Sequence, residues 1–322
     1  MATLLETPPS DSPPPSRAPS EVKQSLPVAI AMKIVTGFLV LSPAVGLAIA
    51  LPLMWGNIVH LRDIVIGGVL FVITGFGISI GYHRLFTHRS FVPKRWLKIV
   101  LAMIGSFAME GSLSGWVAAH RRHHVFSDAP GDPHSPYEYG TGVGAQLRGL
   151  AHAHVGWLFT ADLTSAELYA PDLLKDSDTA LISRWFPLFG IVSLAGPFFL
   201  GWGVTGTIGG ALSMLLWAGL VRMMLLHHVT WSVNSICHMF GKQPASEKDH
   251  STNFAPLAIL SFGESWHNFH HAHPACARHG ALPHQIDPSA AVIRLFERAG
   301  WVTKVRWPTA AQLSGCTATS GR

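Results

Sequence analysis

The chain has 322 residues, of which 48% are hydrophobic and only 13% charged, and its mean hydropathy is +0.31. That balance excludes an ordinary soluble domain and points to a membrane protein. The net charge of +5 is spread around the apolar segments instead of forming one basic run, so membrane topology is the better reading of it and no nucleic-acid partner is expected.

Residues 1–27, "MATLLETPPSDSPPPSRAPSEVKQSLP", hold seven prolines and five serines and too few apolar residues to offset the entropy of ordering them. They are expected to be a disordered tail, and they lack the ordered parts of a cleaved signal peptide. Four apolar stretches follow, at 28–53, 63–82, 186–204 and 206–226, each near the roughly 20 residues that cross a hydrocarbon core. Lys33, near the start of the first, can snorkel to the surface, and Arg222, late in the fourth, can do the same or pair locally. A fifth stretch, 99–119, carries only Glu110 as a charge and would also pass as a span. Were it to cross, His83 and "HRRHH" (120–124) would lie on opposite faces, about 30 Å apart. It is therefore expected to lie in the interface or fold back. The last two spans then return the chain to the starting face before "HNFHH" (267–271). Arginines and lysines gather between the second and third spans, from Arg84 to Arg184, so this face and both termini are expected to be cytoplasmic. The membrane domain covers 28–305, and 306–322 is expected to be a C-terminal tail. Cys237, Cys276 and Cys316 form no pairing framework or CxxC motif, which suits a reducing compartment and gives no thiolate metal site.

Nineteen histidines are many for this length, and their spacing is the stronger signal. In "HRRHH", His120, His123 and His124 fall at i, i+3 and i+4, so on a helix three imidazoles can point at one small volume. His267, His270 and His271 repeat the pattern, and Asn234 and His238 share a helix face at i, i+4. His83 and His88 in "GYHRLFTH" differ, because on a straight α-helix they stand roughly 140° apart. They must address different metals, or the helix must bend or end between them. An isolated histidine is a satisfied polar group in most cases. Clusters forced onto one membrane face read instead as metal ligands. Imidazole suits zinc, copper, iron and nickel alike, and so many nitrogens exceed one structural zinc, so two metals are expected. Only Glu264 to His267 fits a Glu-x-x-His spacing, so Glu264 is read as a supporting group. His134, His152, His154, His227 and His228 are read as structural or interfacial, and Trp116 and Trp157 as interfacial or as the lining of a tunnel. The fold expected is an all-α integral membrane protein, with four transmembrane helices and a histidine-rich helical cap on the cytoplasmic side that holds a di-metal site.

"GYHRLFTH", "HRRHH" and "HNFHH", with "DPHSP" (132–136), "HVGW" (154–157) and "NSICHMFG" (234–241), resemble the membrane fatty acyl desaturases, the group that includes stearoyl-CoA desaturase. The likeness runs in order from about residue 28 to 305. It implies a centre of two irons held by His83, His88, His120, His123, His124, His238, His267, His270 and His271, with Asn234 holding a metal-bound water. It also implies dioxygen as co-substrate, a long-chain acyl-CoA or acyl-lipid substrate and a cis double bond, at carbon nine by overall likeness. Animal acyl-CoA desaturases carry an Arg-Asp pair just before the second histidine box. Ala118 and Ala119 stand there in this chain, which makes a lipid-linked substrate a live alternative. With no haem or iron–sulfur segment fused, electrons are expected from a separate ferredoxin-, rubredoxin- or cytochrome-type carrier and its NAD(P)H reductase. A hydroxylase or ketolase on the same boxes is the alternative enzyme. A metal transporter would carry its ligands inside the spans, and a bis-histidine haem protein is the other non-enzyme reading.

Overall fold

The computed structural model describes residues 21–23, 25–54, 60–160, 162–245 and 248–319. The expected disordered segment falls mostly outside these; within it, Glu21–Lys23 pair antiparallel with Asp162–Thr164. Among the described residues, four helices are long and apolar enough to cross a membrane. The first, α1, is Leu26–Met54, apolar over 26–48; the second, α2, runs from Leu61 to Thr87, 27 residues. The mostly exposed apolar surfaces of α1 are those a hydrocarbon environment would cover.

Residues 99–119 do not cross. They break into α3, Arg95–Ser106, and α4, Leu113–Phe126, of 12 and 14 residues, each too short to span ~30 Å at ~1.5 Å per residue. The chain reverses at Met109 (φ 62°) and Gly111 (φ 118°), and Ser112 caps α4 by accepting from the Gly115 N–H at 3.3 Å. A helix of 12 residues, α5, covers Val143–His154. The third span, α6, is Phe186–Thr205. The fourth, α7, runs 31 residues from Ile208 to His238, further than the apolar run alone suggests. The cap is completed by the short α8, His267–Ala272, and by α9, Pro288–Arg298. The segment expected as a C-terminal tail contains a helix, α10, Ala310–Thr319, whose Cys316 is buried against Phe269 and Cys276.

The end of α2 is where the fold departs from a plain α-helical reading. Gly77–Thr87 is a π-helix, in which each N–H reaches the carbonyl five residues back; His88 N–H bonds His83 O at 3.2 Å. This segment touches α3 backbone to backbone. A Cβ on Gly77 would lie 2.4 Å from Gly105 N, and one on Gly105 would lie 2.4 Å from Tyr82 Cε1. Glycine is therefore what lets the two helices close. The buried core, including Ile80, Tyr82, Leu113, Val117 and Ala118, fills the space beneath the histidines. Arg121 then locks α4 to the end of α2, donating to Phe86 O (2.7 Å), Thr87 O (3.2 Å) and Asp172 Oδ1 (2.6 Å).

Candidate metal centre

All nine histidines singled out in the sequence converge, in two groups: His83, His88, His120, His124 and His270, and His123, His238, His267 and His271. Each HxxHH box divides between the groups instead of serving one volume. His120 and His124 of α4 join the first group and His123 the second, whereas His267 and His271 of α8 join the second and His270 the first. On a helix, residues i and i+4 stand only about 40° apart while i+3 lies on the far side of i, so the division follows the helix itself. His83 and His88 fall in the same group, contrary to the straight-helix expectation, because the π-helical ladder stacks residues five apart. Their ring centroids are 4.8 Å apart.

Within each group the Nε2 atoms face one another: His83 and His270 at 3.1 Å, His120 and His124 at 3.1 Å, His124 and His270 at 3.0 Å. In the second group, His238 and His267 stand at 3.1 Å and His267 and His271 at 3.0 Å. The Nε2 atoms of His88 and His123 are buried with no hydrogen-bond partner. Metal–imidazole bonds of ~2.1 Å at right angles put two nitrogens ~3.0 Å apart, so the spacing suits ligands on a common cation. The residues present fit a pair of metal ions.

On four rings the opposite nitrogen faces a carboxylate. Glu264 Oε2 lies 2.5 Å from His83 Nδ1, and Asp132 accepts from His123 Nδ1 at 3.0 Å, Asp128 from His238 Nδ1 at 2.9 Å and Asp249 from His271 Nδ1 at 2.7 Å. Such contacts fix the tautomer with its lone pair on Nε2 and raise ligand basicity. Glu264 is the supporting group expected, and it also accepts from Ser79 and from Arg84 (3.2 Å). The three aspartates carried no recognisable signal except Asp132 within "DPHSP". Burial, and then the neighbouring histidines, hold His88, His120, His124, His267, His270 and His271 well below the ordinary imidazole range, so these rings stay neutral. His123 goes the other way: burial opposes its charge, but Asp132, Asp128 and Asp249 outweigh burial and raise it. A site that favours a proton there favours a metal cation for the same reason.

The remaining candidates lie outside the two groups. His134 packs on His123, with ring centroids 4.4 Å apart. His152 meets Glu138 at 3.3 Å, His154 meets His228 at 2.9 Å, and His227 bonds Ala108 O at 2.7 Å. Arg222 does not snorkel; it is buried and donates to Ser193 and Phe107 O. His279, which the sequence did not single out, is fully buried 3.2 Å from Glu264 and packs on His270. A cavity of about 610 Å³ reaches His83, His120 and His267 and is lined also by Asn234, Trp116 and Trp157.

Residues 64–301 match the family model described as fatty acid desaturase. The chain is 38% identical over 273 residues to the hex-5-enoyl-[acyl-carrier protein] acetylenase of Moorena producens (strain JHB), covering 84% of this chain and 85% of that protein. It is 34% identical over 244 residues to the delta-9 acyl-lipid desaturase 1 of Arabidopsis thaliana, covering 76% and 75%. It is likewise 34% identical over 244 residues to the palmitoyl-monogalactosyldiacylglycerol delta-7 desaturase of the same plant, covering 76% and 62%. With the histidine boxes gathered at one end of four apolar helices and most of its length matched, the chain belongs to the fatty acid desaturase family and is an oxidoreductase of the membrane.

Proposed function

We propose that this desaturase uses two irons, held by His83, His88, His120, His124 and His270 and by His123, His238, His267 and His271, to place a cis double bond at carbon nine of a lipid-linked saturated acyl chain. The observation that carries this is the cavity of about 610 Å³, within the size range of ligand sites, whose wall includes imidazoles of both groups. Methylene C–H bonds carry no acidic proton, and irons, when bound, supply the dioxygen chemistry that acid–base groups lack. The chain's own residues do the rest. The histidines and their carboxylates hold the metals. The apolar wall excludes water and aligns the chain. Asn234, on the cavity wall one turn before His238, would hold a water at the metal site. The distance from head to metals selects the carbon pair, and one relative is named for delta-9 desaturation of acyl lipids.

A lipid-linked head is preferred over coenzyme A. Among the described residues, the cavity wall contains no lysine and a single arginine, Arg122. Arg122 donates to Gly131 O at 2.8 Å, and Asp132 and Glu138 line the same cavity. Ala118 is fully buried and Ala119 lines the cavity, and neither can donate a charge-assisted hydrogen bond to a headgroup. Electrons come from a ferredoxin-, rubredoxin- or cytochrome-type carrier and its NAD(P)H reductase. The histidine face and both termini are cytoplasmic, so a cysteine introduced at 125–150 reacts with an impermeant reagent only from that side. The function is tested by expressing the chain in a host and analysing its acyl-CoA, phospholipid and free-acid pools separately. New palmitoleoyl or oleoyl chains arising first in phospholipid support it. A hydroxylated product, or first appearance in the acyl-CoA pool, contradicts it.

A further inference from the structure

The loop between α3 and α4 carries another ionisable group into the same cavity. Its carbonyls are held by the last two spans: Ser193 Oγ donates to Phe107 O (2.7 Å), Arg222 Nη1 to the same oxygen (3.2 Å) and His227 Nε2 to Ala108 O (2.7 Å). Glu110, at the tip, is half-buried and lines the cavity. Its Oε1 accepts from Thr230 Oγ1 at 2.8 Å and its Oε2 from Trp116 Nε1 at 3.2 Å. Trp116 in turn stacks on His120 at 5.1 Å between centroids, so Glu110 stands beside the acyl path and one residue removed from the histidines.

α4 presents Trp116 to this carboxyl and, along the same cavity wall, His120 and Arg122; Asp132, His134, Glu138, His152, Glu264 and His267 also line that cavity. α7 presents Thr230, His227 and Arg222, whose guanidinium is turned onto Phe107 O, Ala218 O and Ser193. α2 presents Tyr82, hydrogen-bonded to Ser106 at 2.8 Å, and across the cavity His83, while α1 adds only uncharged residues to the wall. Among the described residues no lysine or arginine pairs with Glu110. Burial accordingly raises its pKa to about 7, against the opposing hydrogen bonds from Thr230 and Trp116.

We propose that Glu110 couples acyl binding to proton uptake: an acyl chain occupies the cavity only while the Glu110 carboxyl is protonated, so binding of the chain takes up one proton. Methylenes that displace water from an ionised Glu110 leave a charge with two hydrogen bonds and no counter-ion, which is costly; the neutral acid avoids this and still accepts from Thr230 and Trp116. The inference rests on the acyl reading of the cavity.

The test is proton linkage of binding in the metal-loaded protein in detergent, with tritiated methyl stearate as a probe whose head does not titrate. Wild-type affinity should be constant on the acid side and fall about tenfold per pH unit above about pH 7. Glu110→Gln should bind with no such slope. Should Glu110→Gln fail to fold, Thr230→Val serves instead: it removes a donor that favours the ionised form, so the bend should move to higher pH. Binding that is pH-independent in wild type, or a slope kept in Glu110→Gln, or an unmoved bend in Thr230→Val, overturns the proposal while leaving the acyl cavity intact. No binding at any pH overturns the acyl reading itself and the proposal with it.

Discussion

The two histidine groups are built by different physics. The first has five imidazoles and one carboxylate, Glu264, whose charge is already shared with the fully buried Arg84 at 3.2 Å, which also pairs with Asp287 at 3.0 Å. The second has four imidazoles and three carboxylates, Asp128, Asp132 and Asp249, each on a different ring. The first is therefore held by backbone geometry, above all the π-helical end of α2 against α3, and the second by local negative charge. Helix shape can assemble a site where charge is balanced. Where several helices meet, acidic side chains from the loops between them do the holding.

The largest effects should come from the imidazoles themselves. His270→Ala in the first group and His267→Ala in the second should each abolish desaturation and lower bound iron from about two per chain to one or none, measured by elemental analysis of the purified protein. Normal turnover with either change would remove that group from the centre.

The carboxylates should separate the groups. Asp128→Asn, Asp132→Asn and Asp249→Asn should weaken metal binding by about 10–100-fold with little effect on folding of the metal-free protein. Glu264→Gln should weaken metal binding and also cost about 3–5 kcal/mol of stability, because it removes a charge from a buried network around Arg84. Equal melting temperatures across all four metal-free variants would show the contrast to be false.

Acid should act on His123 with a sign opposite to that of the other shifted imidazoles in both groups. His88, His120, His124 and His270 of the first group and His267 and His271 of the second have folded values below the ordinary imidazole value, so as pH falls through ~6.5 the unfolded chain binds protons first and metal-free stability is lost. The loss is up to ~1.4 kcal/mol per pH unit for each ring, until their lowered values are passed. His123 is raised, so its contribution is present below ~6.5 and is lost as pH rises through its folded value. Asp132→Asn should therefore steepen the acid loss in denaturant titrations at several pH values; an unchanged slope would mean that Asp132 does not govern His123.

The smallest effect expected is on the packing that shapes the first group. In Gly77→Ala the new Cβ would meet Gly105 N at 2.4 Å and Ile104 C at 2.6 Å, so α2 and α3 must part. A destabilisation of about 1–3 kcal/mol is expected, with iron lost from the first group before the second. Spectroscopic titration of the two irons would reveal simultaneous loss if the groups are not independent in this way.

Much of this was legible in the sequence, because hydropathy and histidine spacing are local signals. The four spans, the folding back of 99–119 and the convergence of all nine histidines follow from apolar length and from the need for one shared face. What was not legible depends on tertiary contact. The π-helix at 77–87 requires the glycine contact with α3, so His83 and His88 read as diverging. Asp128 and Asp249 stand at no recognisable spacing from a histidine box, and only folding brings them to His238 and His271. The lengths of α2 and α7 ran past their apolar runs because His83 and His238 are tolerated in a helix once partners are present. The helix α10 was hidden because the surface it packs on, around Phe269, Cys276 and Ala281, is distant in sequence.

The most direct test of the account is the iron content and Mössbauer spectrum of the purified wild-type protein. The account predicts about two irons per chain in two distinct sites, one richer in imidazole than the other. A single iron, a stoichiometric zinc, or two spectroscopically identical sites would contradict it.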